Sequence, residues 1–164
     1  MTLFEISIVT VIAGILAGIA TPSMMGMLQG NRVKQAVDQV YSALQDAQGQ
    51  AIRRGQKCTI KFDNSVTPPT IDSVPQDAGC LASTNKQLPT GVVMKHNLTP
   101  STVSFSYKGN TTLADSGTIV IQTEKGKGEK QCLVISDGLG IMRRGVYKGD
   151  TTSSVTADNC TTNS

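Results

Sequence analysis

The residues of this chain that could do chemistry are few and far apart. Glu5 is a lone carboxylate inside the apolar run Met1–Pro22, MTLFEISIVTVIAGILAGIATP, and no charged residue follows it until Arg32. Holding an ionised side chain at the centre of a bilayer costs about 2.5–3.5 kcal/mol on insertion scales, so a charge retained there implies a role and a counter-charge. Its own N-terminal amine or the membrane interface would supply the simplest partner. Cys58, Cys80, Cys132 and Cys160 make an even set with no CxxC pair. In an exported chain this pattern points to two disulfides among three pairings. Sequence neighbours favour Cys58 with Cys80 and Cys132 with Cys160, and the second bridge would clip the polar tail back onto the domain. Free buried thiols are the plainer alternative, and zinc is disfavoured because tight ligand pairs are missing and His96 is the only histidine. Arg143, Arg144 and Lys148 could touch phosphate, which requires several converging cations. Adjacent side chains on a strand point to opposite faces, so Arg143 and Arg144 would separate, one solvated and one paired locally. Asp150, Asp158 and Asn159 lie in an oxygen-rich loop without EF-hand spacing. No nucleophile elbow or phosphate-binding glycine loop is present. We therefore expect a chain that is not an enzyme and uses no cofactor or metal.

These residues must be positioned by two kinds of element. The apolar run is long enough to enter a bilayer, for which roughly 20 apolar residues suffice. It lacks the basic start and small-residue cleavage site of a secretory signal. A helical pattern continues beyond it, with Val33, Val37, Val40, Leu44, Ala47 and Ala51 at steps of three and four. Arg32, Lys34, Asp38, Gln45 and Gln48 form the opposite, polar face. Gly55 after Arg53 and Arg54 is a stop signal. The expectation is one helix over residues 1–54, with a hydrophobic part at 1–28 and an amphipathic part at 29–54, about 80 Å long at 1.5 Å per residue. Pro22 removes a backbone donor, so a kink or unwinding is expected between Gly18 and Pro22. Gly14 with Gly18, and Gly26 with Gly30, are spaced for close backbone approach, or serve flexibility alone. Met24, Met25 and Met27 suit adaptable packing.

From residue 55 to 164 the pattern has period two. Strands are expected at Lys57–Phe62, near Ile71, and at Val92–Lys95, Thr102–Tyr107, Thr118–Thr123, Gln131–Ser136 and Gly140–Tyr147. Val103, Phe105 and Tyr107 would share one face. EKGKGEK, Glu124–Lys130, is a solvated hairpin tip. The fold class is therefore α+β, with the second half of the helix covering an antiparallel sheet or two small sheets. A net charge of +3 over 164 residues is too mild to imply nucleic acid by itself. The absence of Trp and the low aromatic content fit an exposed β-rich domain better than a pocketed enzyme.

Thr2, Leu3 and Glu5, followed by the apolar run and Pro22, resemble the processed N-terminus of type IV pilins and type II secretion pseudopilins. The resemblance implies the pilin fold and removal of a short leader by a prepilin peptidase. It further implies N-methylation of Met1, and Glu5 neutralising the N-terminal amine of the adjacent subunit. Met1 stands where the family more often has phenylalanine. The stretches SALQDAQGQAIRRGQKCTI and LVISDGLGIMRRG are similar, more loosely, to H-type pseudopilins and related minor pilins. Some members of that branch bind DNA through basic residues after the late glycine; here Ile141 and Met142 directly follow Gly140, a departure from that pattern.

What the resemblance implies is a structural subunit, stored in the bacterial inner membrane and polymerised with copies of itself by the assembly machinery. The product would be an extracellular pilus serving motility or adhesion, or a periplasmic pseudopilus. The alternative is a minor subunit at the filament tip with a binding role in DNA uptake, adhesion or secretion. A permanently anchored monomer would leave the cost of Glu5 and the glycine spacing without explanation.

Overall fold

The computed structural model describes residues 3–75, 79–82, 85–113, 115–126, 128–152 and 154–162, with the side chains at 3, 17–23 and 85 outside the description. Helix α1 runs from Leu3 to Arg54, 52 residues, or about 78 Å at the standard rise. Glu5 in its first turn and Arg53 and Arg54 in its last complement the helix dipole. Its end is closed by a Schellman motif. Gly55 takes φ 64°, its N–H donates to the Ile52 carbonyl at 3.3 Å, and the Gln56 N–H donates to the Ala51 carbonyl at 3.2 Å.

The rest of the chain builds two antiparallel sheets. The first has the order β3-β2-β1-β5, from β1 (Cys58–Asp63), β2 (Thr70–Val74), β3 (Asn85–Gln87) and β5 (Thr102–Phe105). The second has the order β4-β6-β7-β8-β9, from β4 (Val92–His96), β6 (Gly117–Thr123), β7 (Gln131–Ile135), β8 (Met142–Tyr147) and β9 (Cys160–Thr162). Alternation fixes the inward faces. Cys58, Ile60 and Phe62 are buried on β1, while Lys61 between them is exposed.

Both sheets lie under the second half of α1. Val33, Val37, Val40, Leu44, Ala47 and Ala51 are at most 4 % exposed and join Ile60, Phe62, Ile119, Ile121 and Leu133 in the main core. Ala36 and Ala43, also fully buried, let the helix sit close to the strands. A second, smaller core occupies the far face of the second sheet, where Val120, Cys132 and Tyr147 meet Val155 and Cys160. The tail is thus a packed cover for that sheet. The Thr156 N–H donates to the Tyr147 hydroxyl at 3.3 Å, and β9 pairs with β8.

Four expectations need correction. First, of the kink or unwinding expected before Pro22, the unwinding is not seen in the single chain, where α1 is helical throughout Gly14–Pro22; a proline kink removes one helical hydrogen bond and leaves the helix continuous. Second, β5 stops at Phe105, because Ser106–Gly109 turns back, with the Gly109 N–H donating to the Ser106 carbonyl at 2.9 Å, and Tyr107 is left 56 % exposed. Third, β8 begins at Met142 rather than Gly140, since Gly140 adopts φ 69° in a loop. Fourth, β3 and β9 were not anticipated, being three-residue polar or mixed segments. Among the described residues no helix is long and apolar enough to cross a membrane. The expected span passes through residues 17–23, whose side chains lie outside the description.

Candidate functional site

The surface that sets this chain apart from an ordinary small domain is the first half of α1. Among the described side chains, burial along the helix begins at Val33. Before it, Phe4, Ile6, Ile8, Val9, Val11, Ile12, Ile15 and Leu16, then Met24, Met25, Met27 and Leu28, are 45–74 % exposed. Exposed apolar surface of this extent marks a site of association with protein or lipid. A Cβ built on Gly14, Gly26 or Gly30 would meet nothing within 4 Å, so these positions are open for a neighbouring backbone to approach. Glu5 lies on this exposed segment. Met1 is outside the described residues, and of Gly18 and Pro22 only the helical backbone is described.

The globular half holds α1 in place with a few long-range polar contacts that sequence patterning did not reveal. The Gln48 amide donates to the Gly109 carbonyl at 2.8 Å and to the Gly140 carbonyl at 3.3 Å, tying two loops to the end of the helix. Lys86 of β3 pairs with Asp46 at 2.9 Å. Arg144 donates to Asp38, and its guanidinium lies 4.5 Å from the centre of the Tyr41 ring. None of these partners has a local sequence signal, since they lie 40 to 106 residues apart.

The expected cation cluster separates accordingly. On β8, Arg144 is opposite Leu133 of the main core, while Arg143 is opposite Val134, which packs on the second core. Arg144 is committed to α1, whereas Arg143 and Lys148 are exposed. A groove of about 580 Å³ beside β8 is lined by Lys34, Arg143 and Arg144 but also by Glu129, so the cations do not form a uniform phosphate track.

The four cysteines form the bridges Cys58–Cys80 and Cys132–Cys160, with Cα separations of 5.5 and 5.9 Å. The first ties the loop before β3 to the start of β1; the second pins β9 and the tail across β7. Among the described residues no group of three or more histidine, cysteine, aspartate or glutamate side chains could hold a metal. Asp150 instead accepts the Thr152 N–H at 3.0 Å and the Thr152 hydroxyl at 2.6 Å, which holds its carboxyl below the usual range. Asn159 donates to the Thr156 hydroxyl at 3.1 Å. His96, at the edge of the second sheet with its ring 6.4 Å from that of Phe62, is held below its ordinary pKa by burial. Both its ring nitrogens are buried without a hydrogen-bond partner among the described residues.

The architecture has relatives among solved structures. The type IV minor pilin FimU of Pseudomonas aeruginosa aligns over 79 % of this chain and 96 % of its own, at TM-score 0.57 and 13 % identity. The minor pseudopilin EpsH of the type 2 secretion system of Vibrio cholerae aligns over 70 % of this chain and 97 % of its own, at TM-score 0.55 and 16 % identity. At such identities the likeness establishes the pilin fold. No curated protein matches the sequence. Residues 36–139, running from the buried stripe of α1 to the loop before β8, match the family described as type II transport protein GspH, and because the match spans more than half of the chain, the protein belongs to that family.

Proposed function

We propose that the chain is a structural subunit of a type IV filament, a pilus or a type II secretion pseudopilus, stored in the inner membrane and incorporated through residues 3–28 of α1. The observation that carries this reading is the division of one continuous helix. Its second half is buried against the sheets, and its first half presents apolar side chains to the surroundings. An apolar helix that leaves lipid gains a comparable environment in a bundle of its own kind, and head-to-tail contacts that do not close produce an open polymer. In that bundle Glu5 would neutralise the amine of the adjacent subunit, each charge offsetting the desolvation of the other. Cleavage by a prepilin peptidase and methylation at Met1 belong to the same reading.

GspH membership, together with neighbours that are a minor pilin and a minor pseudopilin, favours a low-copy subunit over the main filament polypeptide. The test is to purify filaments or pseudopili from the producing cell and count copies of each polypeptide by quantitative mass spectrometry. A few copies per filament support the minor role. Predominance of this chain would make it the main subunit, and its absence from filaments would reject the reading.

A further inference from the structure

The underside of the globular domain, where α1 leaves its apolar half, carries a collar of loops at one level. Leu28 is the last residue of the exposed apolar stretch, and the next charges on the helix are Arg32 and Lys34, both exposed. They stand about 6–9 Å further along the axis. The β6–β7 hairpin descends beside the same turns. Gly26, Gln29 and Gly30 of α1 and Thr123, Gly128 and Glu129 of the hairpin enclose a cavity of about 330 Å³. The turn at Gly91 completes the collar: the Glu124 N–H donates to the Gly91 carbonyl at 3.0 Å, and the Arg32 guanidinium approaches to 3.5 Å of where a Cβ on Gly91 would lie.

We propose that this collar is a contact surface for anionic phospholipid headgroups while the chain is stored in the membrane; the proposal rests on the membrane-storage reading above. With residues up to Leu28 in the hydrocarbon, a hairpin level with Gly26–Gly30 meets the headgroup layer by geometry alone. Among the described residues, the collar's cations are Arg32, Lys34 and Lys125, with Lys130 half-buried and donating to the Gly149 carbonyl at 3.0 Å. Its carboxylates are Glu124 and Glu129. Between Glu5 and Asp38 the helix carries no acidic residue, so the turns at the interface are purely cationic. Apolar side chains directly below and long cationic side chains directly above match the layering of hydrocarbon and phosphate, an arrangement that favours a bilayer over a soluble acidic partner.

The chain contains no tryptophan, so Thr90→Trp, beside Gly91 and neutral in charge, gives a single reporter on the collar. The full chain carrying it is reconstituted in vesicles of phosphatidylcholine alone or with a third phosphatidylglycerol, each with headgroup spin-labelled lipid as quencher. The expected result is quenching that is several-fold stronger with labelled phosphatidylglycerol than with labelled phosphatidylcholine, a preference that high salt removes. Arg32→Gln with Lys34→Gln should bring quenching by the two labelled lipids close to equality. A chain that floats with vesicles but whose tryptophan is unquenched, or is quenched equally by both lipids, overturns the proposal. A chain that fails to float with either vesicle overturns the storage reading itself.

Discussion

Replacing Gly140 with alanine separates a crowded loop from a merely unusual one. Gly140 has φ 69°, and a Cβ there would lie 2.6 Å from the Gly109 carbonyl oxygen and 3.1 Å from the Gln48 amide nitrogen. The Gly109 carbonyl has little freedom to retreat, because it accepts Gln48 at 2.8 Å from a turn closed by its own N–H on Ser106. The left-handed backbone costs a non-glycine residue about 1–2 kcal/mol, and losing the two Gln48 hydrogen bonds costs about 1 kcal/mol each. The total of about 3–4 kcal/mol should lower the melting temperature by roughly 12–16 °C at about 4 °C per kcal/mol. Gly138 supplies the control, with φ 66° and nothing within 4 Å of its Cβ position. Gly138→Ala should show only the backbone term, a fall of roughly 4–8 °C. Thermal unfolding of both variants in detergent, followed by circular dichroism, decides the matter. Equal falls would refute the claim that Gln48 and the Gly109 carbonyl hold the two loops to the end of α1.

Other consequences are open to the same kind of measurement. Burial depresses the pKa of His96, so the unfolded chain binds its proton first as pH falls. Stability should therefore be full above the unfolded value of about 6.5, decline as pH drops through it, and level off below the depressed folded value. His96→Phe should remove that part of the acid loss, and an unchanged pH profile of melting temperature would contradict the assignment. The bridges span sequence separations of 22 and 28, and replacing either pair with alanine should cost roughly 3.5 kcal/mol on the chain-entropy model in denaturant titration. Arg144→Ala should cost only about 1 kcal/mol, since its pair with Asp38 is half-exposed and its stacking on Tyr41 is modest; a loss above about 3 kcal/mol would mean the contact is far less solvated.

Much of the architecture was legible because it rests on periodicity. The steps from Val33 to Ala51 give the buried stripe, and the alternation at Cys58, Ile60 and Phe62 gives an inward strand face. Gly55 marks the helix end because only a left-handed residue closes the Schellman turn cheaply. Segments whose structure depends on distant partners were illegible. Asn85–Gln87 is a strand solely through pairing with β2, and Cys160–Thr162 through pairing with β8 and the bridge to Cys132. Tyr107 continues the alternation of β5 but falls in a turn set by Gly109. At the proposed assembly surface, the apolar run and Glu5 were legible in the sequence. It gave no sign of Gln48 or Asp38 as contacts between helix and domain, because their partners are loop carbonyls and an arginine far along the chain. One of Arg143 and Arg144 was expected to pair near at hand, and it is Arg144 that does so, with Asp38 of α1 rather than with a neighbour in sequence.

If residues 3–28 pass from lipid into a filament core with Glu5 answering the charge of a neighbour, Glu5→Ala separates storage from assembly. The amount of chain in the membrane fraction and the amount in sheared filaments are measured from the same cells. Membrane insertion should be undiminished, with recovery in filaments reduced severalfold or more. Undiminished recovery of the variant in filaments would show that Glu5 has no part in assembly.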